Sequence, residues 1–526
     1  MPQYDDQLFD RSLEHQHYID PQQSLSQSPA QQMPILHHQD ASPEFSRPSP
    51  NMSIGLQDRP LDSQLSRSAR FIGETGESNP YLLRHYRYDE NDECTVSKLT
   101  YRRIKRSSQI PEQLSGNRGE PPVVFMLADD SLASKGEPRI EDEVLSRARH
   151  DISQMFSEEE ALRLIGLYFR FVNPYFPILP RSENMVNGTM SIDALRAMPL
   201  SLLSALYATA LPFMLYDDLL ATTIVHSPPP AHQLYRMSWL AVVQELHTPR
   251  LATLQACLLL LQRAPTNRYT TDTPWKTSLV GWTVALAQIL GLNHDCGDWS
   301  SLPTWEVNLR KRLWHGVYVM DKWASLGAGM PSHIRNDDFD VMPLQNTDCE
   351  MMPHDQDASQ IGLPVPSESD SHFRLLAELT CILSDIMDAY YSLRATQRTS
   401  KDFTLSLEIA RPIRSRLKAW NDSLPPALSL RQNDRVDSRG MAKLSGNPSL
   451  SLAYIIATMT LFRALLRPLE NLTSVQEEDH GIVGSRLAVR AGAKECAKEV
   501  VEFVENLGRG ALDAFWHSCK FLHVTR

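Results

Sequence analysis

Asn308-Leu-Arg-Lys-Arg-Leu-Trp-His-Gly-Val-Tyr-Val-Met-Asp321 is the stretch on which the fold turns. Its spacing predicts a helix from Trp305 to Leu326. Leu313, Val317 and Met320 fall at i, i+4 and i+7, a core stripe, while Trp314, Tyr318 and Asp321 make the adjacent face. Two such faces suit a structural role for the helix. Arg310, Lys311 and Arg312 near its start are then expected to pair with acids rather than read nucleic-acid bases. Asp321 could serve as a catalytic acid only beside a second carboxylate or a histidine. None is evident in the sequence, and a buried or helix-linked ion pair is the expectation. After the helix, Gly327, Gly329 and Pro331 turn the chain, and without a preceding strand these glycines do not form a nucleotide fingerprint.

The same period extends outward in both directions. Towards the N-terminus, Leu279 to Leu292 reads as a strongly apolar helix closed by Gly291 and placed centrally. Leu254, Leu258 and Leu261 share one face of a helix opened by Thr253, and Ala231 to Leu246 forms another. Leu200, Leu203, Leu206 and Tyr207 mark one that stops near Pro212. Ser157-Glu-Glu-Glu160 supplies a cap and a first turn of acids for a helix carrying Leu162, Ile165, Phe169 and Val172, ended by Asn173-Pro174. Towards the C-terminus, Asp337 to Asp370 is acidic and irregular. Helices then resume at His372–Ala395, Leu405–Leu424, Leu450–Leu466 and Val483–Leu507. No long alternating pattern competes with them. The expected fold is all-α: a multi-helix domain over residues 151–526 behind a disordered N-terminal tail.

That tail, residues 1–70, is rich in Ser, Pro and Gln, and its few apolar residues keep no period. Its histidines, His15, His17, His37 and His38, have no cysteine at ligand spacing, so no metal is expected there. Residues 71–106 divide into a docking arm, Phe71 to Leu83, and a basic stretch, Lys98, Arg102, Arg103, Lys105 and Arg106. The stretch reads as a nuclear-localisation signal, as a strip touching phosphates, or as a solvated face. Gly73 and Gly76 are too few for a phosphate loop. Residues 107–150 are expected to be linker.

Composition removes several classes of function. The chain has 526 residues and a net charge of −11, which argues against broad electrostatic binding to nucleic acid. Its 7 cysteines are scattered without a C-x-x-C, so core thiols are expected rather than a zinc site or a disulfide framework. The N-terminal residues lack a secretory pattern, and Ser278 to Leu292, read as the longest apolar stretch, is too short to span a membrane. No G-x-S-x-G, P-loop or H-E-x-x-H motif occurs, and no enzyme activity is expected.

Two segments carry a resemblance. Tyr168-Phe-Arg-Phe-Val-Asn-Pro-Tyr-Phe-Pro-Ile-Leu179 is similar to the opening helix and aromatic exit of the fungal-specific transcription factor domain, the middle homology region of the zinc-cluster regulators. The stretch Asn308–Asp321, followed by Ser325-Leu-Gly-Ala-Gly-Met-Pro331 and Ile334 to Pro343, resembles that family's signature, with Arg312, Trp314, Tyr318, Asp321, Gly329 and Pro331 in structural roles. Ala287-Gln-Ile-Leu-Gly-Leu292 fits its A-x-x-L-G-L helix. The arm Phe71–Leu83 and Phe515-Trp-His-Ser518 resemble parts of its nitrogen-utilisation regulators.

The resemblance implies a transcription regulator in the nucleus that acts through other regulators or co-activators, as a homo- or heterodimer where it self-associates. It also implies zinc, but this chain has no cysteine cluster to hold it, so no cofactor is expected and DNA is reached only indirectly or through a missing module. The tail Cys519-Lys-Phe-Leu-His-Val-Thr-Arg526 differs from the apolar helix with which the family continues, which suggests a truncated or mis-spliced gene model at one or both ends. The alternative is a ligand-sensing helical domain that gates a separate DNA-binding module, with Trp282, Trp314 and Tyr318 lining a cavity.

Overall fold

The computed structural model describes residues 59–62, 66–106, 122–180, 185–186, 189–264, 274–349, 370–428, 444–471 and 480–517. Residues 1–58 of the tail expected over residues 1–70, and the terminal stretch 518–526, lie outside these residues. Eleven longer helices carry the architecture: α1 (Asp142–Met155), α2 (Glu158–Phe171), α3 (Leu200–Ala210), α4 (Ala231–Glu245), α5 (Leu251–Leu261), α6 (Pro274–Ile289), α7 (Thr304–Ala328), α8 (Asp370–Tyr390), α9 (Phe403–Asp422), α10 (Pro448–Leu466) and α11 (His480–Glu505). The protein is all-α in its main body.

Local chemistry sets the boundaries. Ser157 accepts from the Glu160 backbone N–H while the Glu160 carboxylate accepts from the Ser157 backbone N–H, a reciprocal capping box at the start of α2. α3 and α5 are buried on almost every side, so neither has a solvated polar face and the Ser, Thr and Gln residues they carry are themselves buried. α7 lies at the centre, packed against α5, α6 and α8, with α9 and α10 behind α8 and α11 covering α10. The segment Pro448–Glu470, which contains α10, is long and apolar enough to cross a membrane by length and composition, beyond the Ser278–Leu292 stretch read as the longest. It is 67% buried inside the protein, as expected of a core helix.

The segment expected to be arm, basic stretch and linker instead builds a sheet. Strands β1 (Arg67–Phe71), β2 (Glu93–Val96), β3 (Leu99–Arg103) and β4 (Val124–Asp129) form an antiparallel sheet in the order β1-β4-β3-β2. Two corrections follow. Residues 107–150 are not all linker, because β4 is an inner strand whose Val124, Phe125, Leu127 and Ala128 are buried, and α1 begins at Asp142. The strand β1 likewise begins inside the stretch read as tail. One face of the sheet sets Ala69, Phe125 and Leu127 with Ile104 against Leu61, Trp299 and Leu302, and the other buries Ile72, Leu83, Tyr101 and Val124.

The sheet meets the helical body at the end of α6. Gly291 has φ +69°, and a Cβ there would stand 3.0 Å from both Phe71 and Phe125. The glycine therefore serves the helix end and the close approach of the sheet together. Gly291→Ala is expected to cost about 2 kcal/mol or more, from left-handed strain plus overpacking. Urea unfolding of the variant checks this; a loss under about 0.5 kcal/mol would mean that the seam yields freely.

Candidate functional site

Helix α7 is buried along nearly its whole length, from Glu306 to Ser325. Polar groups at such a depth must be bonded within the protein or they destabilise it. Each charged residue in the helix has a specific partner, and together these partners join four parts of the chain.

At the N-terminal end, Glu306 and Arg310 form a fully buried pair at 2.8 Å. The Arg310 guanidinium also donates to the Leu290 carbonyl at the end of α6, at 2.9 Å, and lies 5.7 Å from the Phe125 ring centroid. The other Glu306 oxygen accepts the Leu61 backbone N–H at 3.1 Å, and neighbouring Asp62 accepts the Leu251 N–H at the start of α5. Burial pushes the Glu306 carboxyl up against the pull of Arg310, and it pushes Asp62 up as well.

In the next turn, Arg312 donates to the Pro177 carbonyl at 2.8 Å and the Asp348 carbonyl at 2.7 Å. It thereby ties Tyr168–Leu179 to the exit of the Asn308–Pro343 segment. Lys311 lies 3.7 Å from the Asp348 carboxylate. The expectation that these bases pair with acids holds for Arg310 and Lys311. Arg312 binds backbone carbonyls instead, because two chain turns present oxygens at that depth.

Trp314 and Tyr318 are buried and both pack on Phe339. The Tyr318 hydroxyl donates to Asn336 Oδ1 at 3.1 Å, and the Asn336 amide donates to Asp388 on α8 at 3.1 Å. His315 bonds the Met342 carbonyl through Nε2 at 3.1 Å. The three aromatics proposed as a common cavity wall do not meet. Trp282 lies 40% exposed on α6, stacked on Trp239 of α4, away from Trp314 and Tyr318.

Asp321 corrects the sequence reading, since a histidine does stand beside it. Its Oδ1 accepts the His333 backbone N–H at 2.9 Å and pairs with His333 Nδ1 at 3.0 Å, while Oδ2 accepts the Ile334 N–H at 3.0 Å. Lys322, 1% exposed, stands 3.9 Å away and donates to Ser332 Oγ and the Ile334 carbonyl. Burial holds the Lys322 amine below the usual range, against the pull of Asp321 and Asp388. Gly329, in the left-handed conformation at φ 68°, closes the helix, and Pro331 carries the chain into this loop. The Asp321 carboxylate is occupied by two backbone amides and one imidazole, which suits holding a loop better than moving protons.

The His333 pair has a pH signature. Its hydrogen bond to Asp321 raises the imidazole above the ordinary 6.5. A raised folded value means stabilisation that is complete below the unfolded pKa and lost as pH rises through the folded one. Stability should therefore fall from about pH 6 upward across the neutral range, and His333→Gln should flatten that slope. Urea midpoints at a series of pH values check it, and an unchanged slope in the variant refutes it.

The basic stretch is not gathered into a free cationic strip. Arg102 is buried in β3 and paired with Glu93 at 2.5 Å, Arg103 and Lys105 share Asp92, and Arg106 lies 3.9 Å from Asp298. Lys98 is exposed at the β2–β3 turn. The sequence reading passed over the acids of Tyr88–Glu93 that neutralise this stretch across the hairpin. Among the described residues no group of three or more His, Cys, Asp or Glu side chains is placed to hold a metal ion. These residues do not fit a zinc cluster. Glu306 and Lys322 of α7, and His333, Asn336 and Asp348, were not singled out from sequence; the last three reach α7 only through the fold.

Residues 165–422 match the fungal specific transcription factor domain, which contains the aromatic exit, α7 and its loop. The chain is 28% identical over 491 residues to the transcriptional activator protein DAL81 of Saccharomyces cerevisiae, covering 87% of this chain and 45% of that protein. It is 31% identical over 343 residues to an uncharacterized transcriptional regulatory protein of Schizosaccharomyces pombe, covering 63% and 45%. It is also 27% identical over 277 residues to the nitrogen assimilation transcription factor nit-4 of Neurospora crassa, covering 50% and 24%. The chain thus spans less than half the length of these relatives. No solved structure matches it.

Proposed function

We propose, from the premise that residues 165–422 form a fungal specific transcription factor domain, that this chain regulates transcription through protein contacts in the nucleus. The observation that carries the reading is the use of α7. Its charged residues are taken up in joining the sheet, the aromatic exit, the Asp348 turn and the His333 loop, so the signature builds a rigid body and leaves partners to the outer surface. The net charge of −11 and the paired state of Arg102, Arg103 and Lys105 both disfavour direct DNA contact by these residues. Regulation rather than turnover also suits the occupied Asp321 carboxylate.

Tethering tests the reading. Fused to a heterologous DNA-binding module in a fungal reporter strain, the chain should change reporter output at least severalfold relative to the module alone. A fluorescent fusion should concentrate in the nucleus, and the purified chain should leave random duplex DNA unshifted at moderate salt. An inert tethered chain, or tight DNA binding by the chain alone, would sink it.

A further inference from the structure

Away from α7, helices α1, α3 and α4 border an open cleft of about 220 Å³, lined by Leu145, Ser146 and Arg149 of α1, Leu200 of α3, and Ala241, Gln244 and Glu245 of α4. Most of the wall is apolar, and its charges stand apart by sign. Arg149 is exposed at the rim, with its guanidinium turned to the Arg196 and Met198 carbonyls. Glu245 lines the interior, and its carboxylate accepts the Ser201 hydroxyl at 2.8 Å and the Thr253 hydroxyl at 2.8 Å, both on Oε2. Ser201 and Thr253 are themselves buried.

A carboxylate in such a place is costly to keep charged, and two neutral hydroxyls on one oxygen compensate only in part. Burial accordingly raises the Glu245 carboxyl, against the Ser201 and Thr253 hydroxyls, the Arg250 guanidinium and the Ser201 backbone amide. Among the residues that line the cleft the one cation is Arg149, and its guanidinium is turned to the Arg196 and Met198 carbonyls. The volume amounts to roughly seven waters at about 30 Å³ each, room for a short aliphatic body and one polar head.

We propose that this cleft binds a small aliphatic primary ammonium ligand, its head on the Glu245 carboxylate and its apolar body against Leu145, Leu200 and Ala241. A zwitterionic amino acid would also place its carboxylate towards Arg149, whereas a simple amine would use only the inner half. Such binding would brace α1 and α4 against α3. It does not depend on the transcription reading, because binding to the purified chain and reporter output in cells are separate readouts.

Calorimetry and ligand-observed NMR on the purified full chain test it with n-butylamine, L-leucine, n-butanol and isovalerate. Saturable millimolar or tighter binding is expected for the two ammonium compounds and none for the alcohol or the acid. Leucine binding above butylamine would assign the amino-acid source, and the reverse would assign simple amines. Glu245→Gln should weaken binding about 10-fold to 100-fold. Ser146→Phe, at an exposed rim position, should block the mouth without entering the core; unchanged circular dichroism would show that both variants fold. The proposal is overturned if neither ammonium compound saturates, if the alcohol binds as well as the amine, or if both variants bind like the parent.

Discussion

Asp321→Ala is expected to destabilise the protein by about 3–5 kcal/mol, because it breaks a buried charge pair from one side only. The carboxylate is fully buried and accepts from the His333 and Ile334 backbone amides and from the His333 imidazole. Without it, two backbone donors lose their acceptor and Lys322 stays buried with its nearest carboxylate gone. Each orphaned donor costs on the order of 1–3 kcal/mol. The double variant Asp321→Ala with Lys322→Met separates the causes. Removing both charges should recover a large part of the loss, since the uncompensated ammonium is the largest penalty. Urea unfolding of Asp321→Ala and of the double variant checks this, and a loss below about 1 kcal/mol in Asp321→Ala would show that the loop is held by something else.

Helices were legible in the sequence wherever an apolar period was sustained, as at Leu313, Val317 and Met320 or at Leu254, Leu258 and Leu261. α1 escaped because only Ala148 and Ile152 are buried along its 14 residues, too thin a stripe to stand out. The sheet escaped for a different reason. Val123-Val-Phe-Met-Leu-Ala128 is apolar at successive positions because β4 is covered on both faces, so it shows no alternation, and the prolines ahead of it suggested linker. The basic residues of β3 looked solvated because charge normally means exposure. Arg102 is inside because Glu93 stands opposite it in register, and pairing of that kind is set by strand alignment.

The site was legible in the same partial way. Arg312, Trp314, Tyr318 and Asp321 were identifiable as a patterned helix, but their partners were not. Pro177, Asn336 and Asp348 lie on segments outside α7 that are brought to it from distances of up to 135 positions in the chain. His333 lies only 12 positions from Asp321, yet a helix end, a left-handed glycine and a proline must fold the chain back before the two can meet. Local period predicts faces, whereas buried polar pairing depends on where turns return the chain.

Arg310→Met should be nearly as damaging, about 3–5 kcal/mol, and its effect should be localised. The guanidinium bonds Glu306, caps the Leu290 carbonyl at the end of α6, and stands over the Phe125 ring of the sheet. Methionine fills much of the volume but supplies none of these bonds. Glu306 then loses its counterion and, already raised by burial, takes up a proton at neutral pH more readily. That uptake limits the electrostatic loss but weakens the acceptor for the Leu61 N–H, which holds residues 59–62 to the body. Backbone amides of β1, β3 and β4 should therefore exchange hydrogen sooner than in the parent, while those of α8, α9 and α10, which pack on one another away from this seam, should keep their protection. A raised folded carboxyl also means stability lost as pH rises through its folded value, so the variant should be less impaired in mild acid than at neutral pH. Hydrogen exchange with peptide resolution at two pH values decides the matter. Uniform loss of protection across sheet and helices would show one cooperative body, and it would remove Arg310 as the specific tie between them.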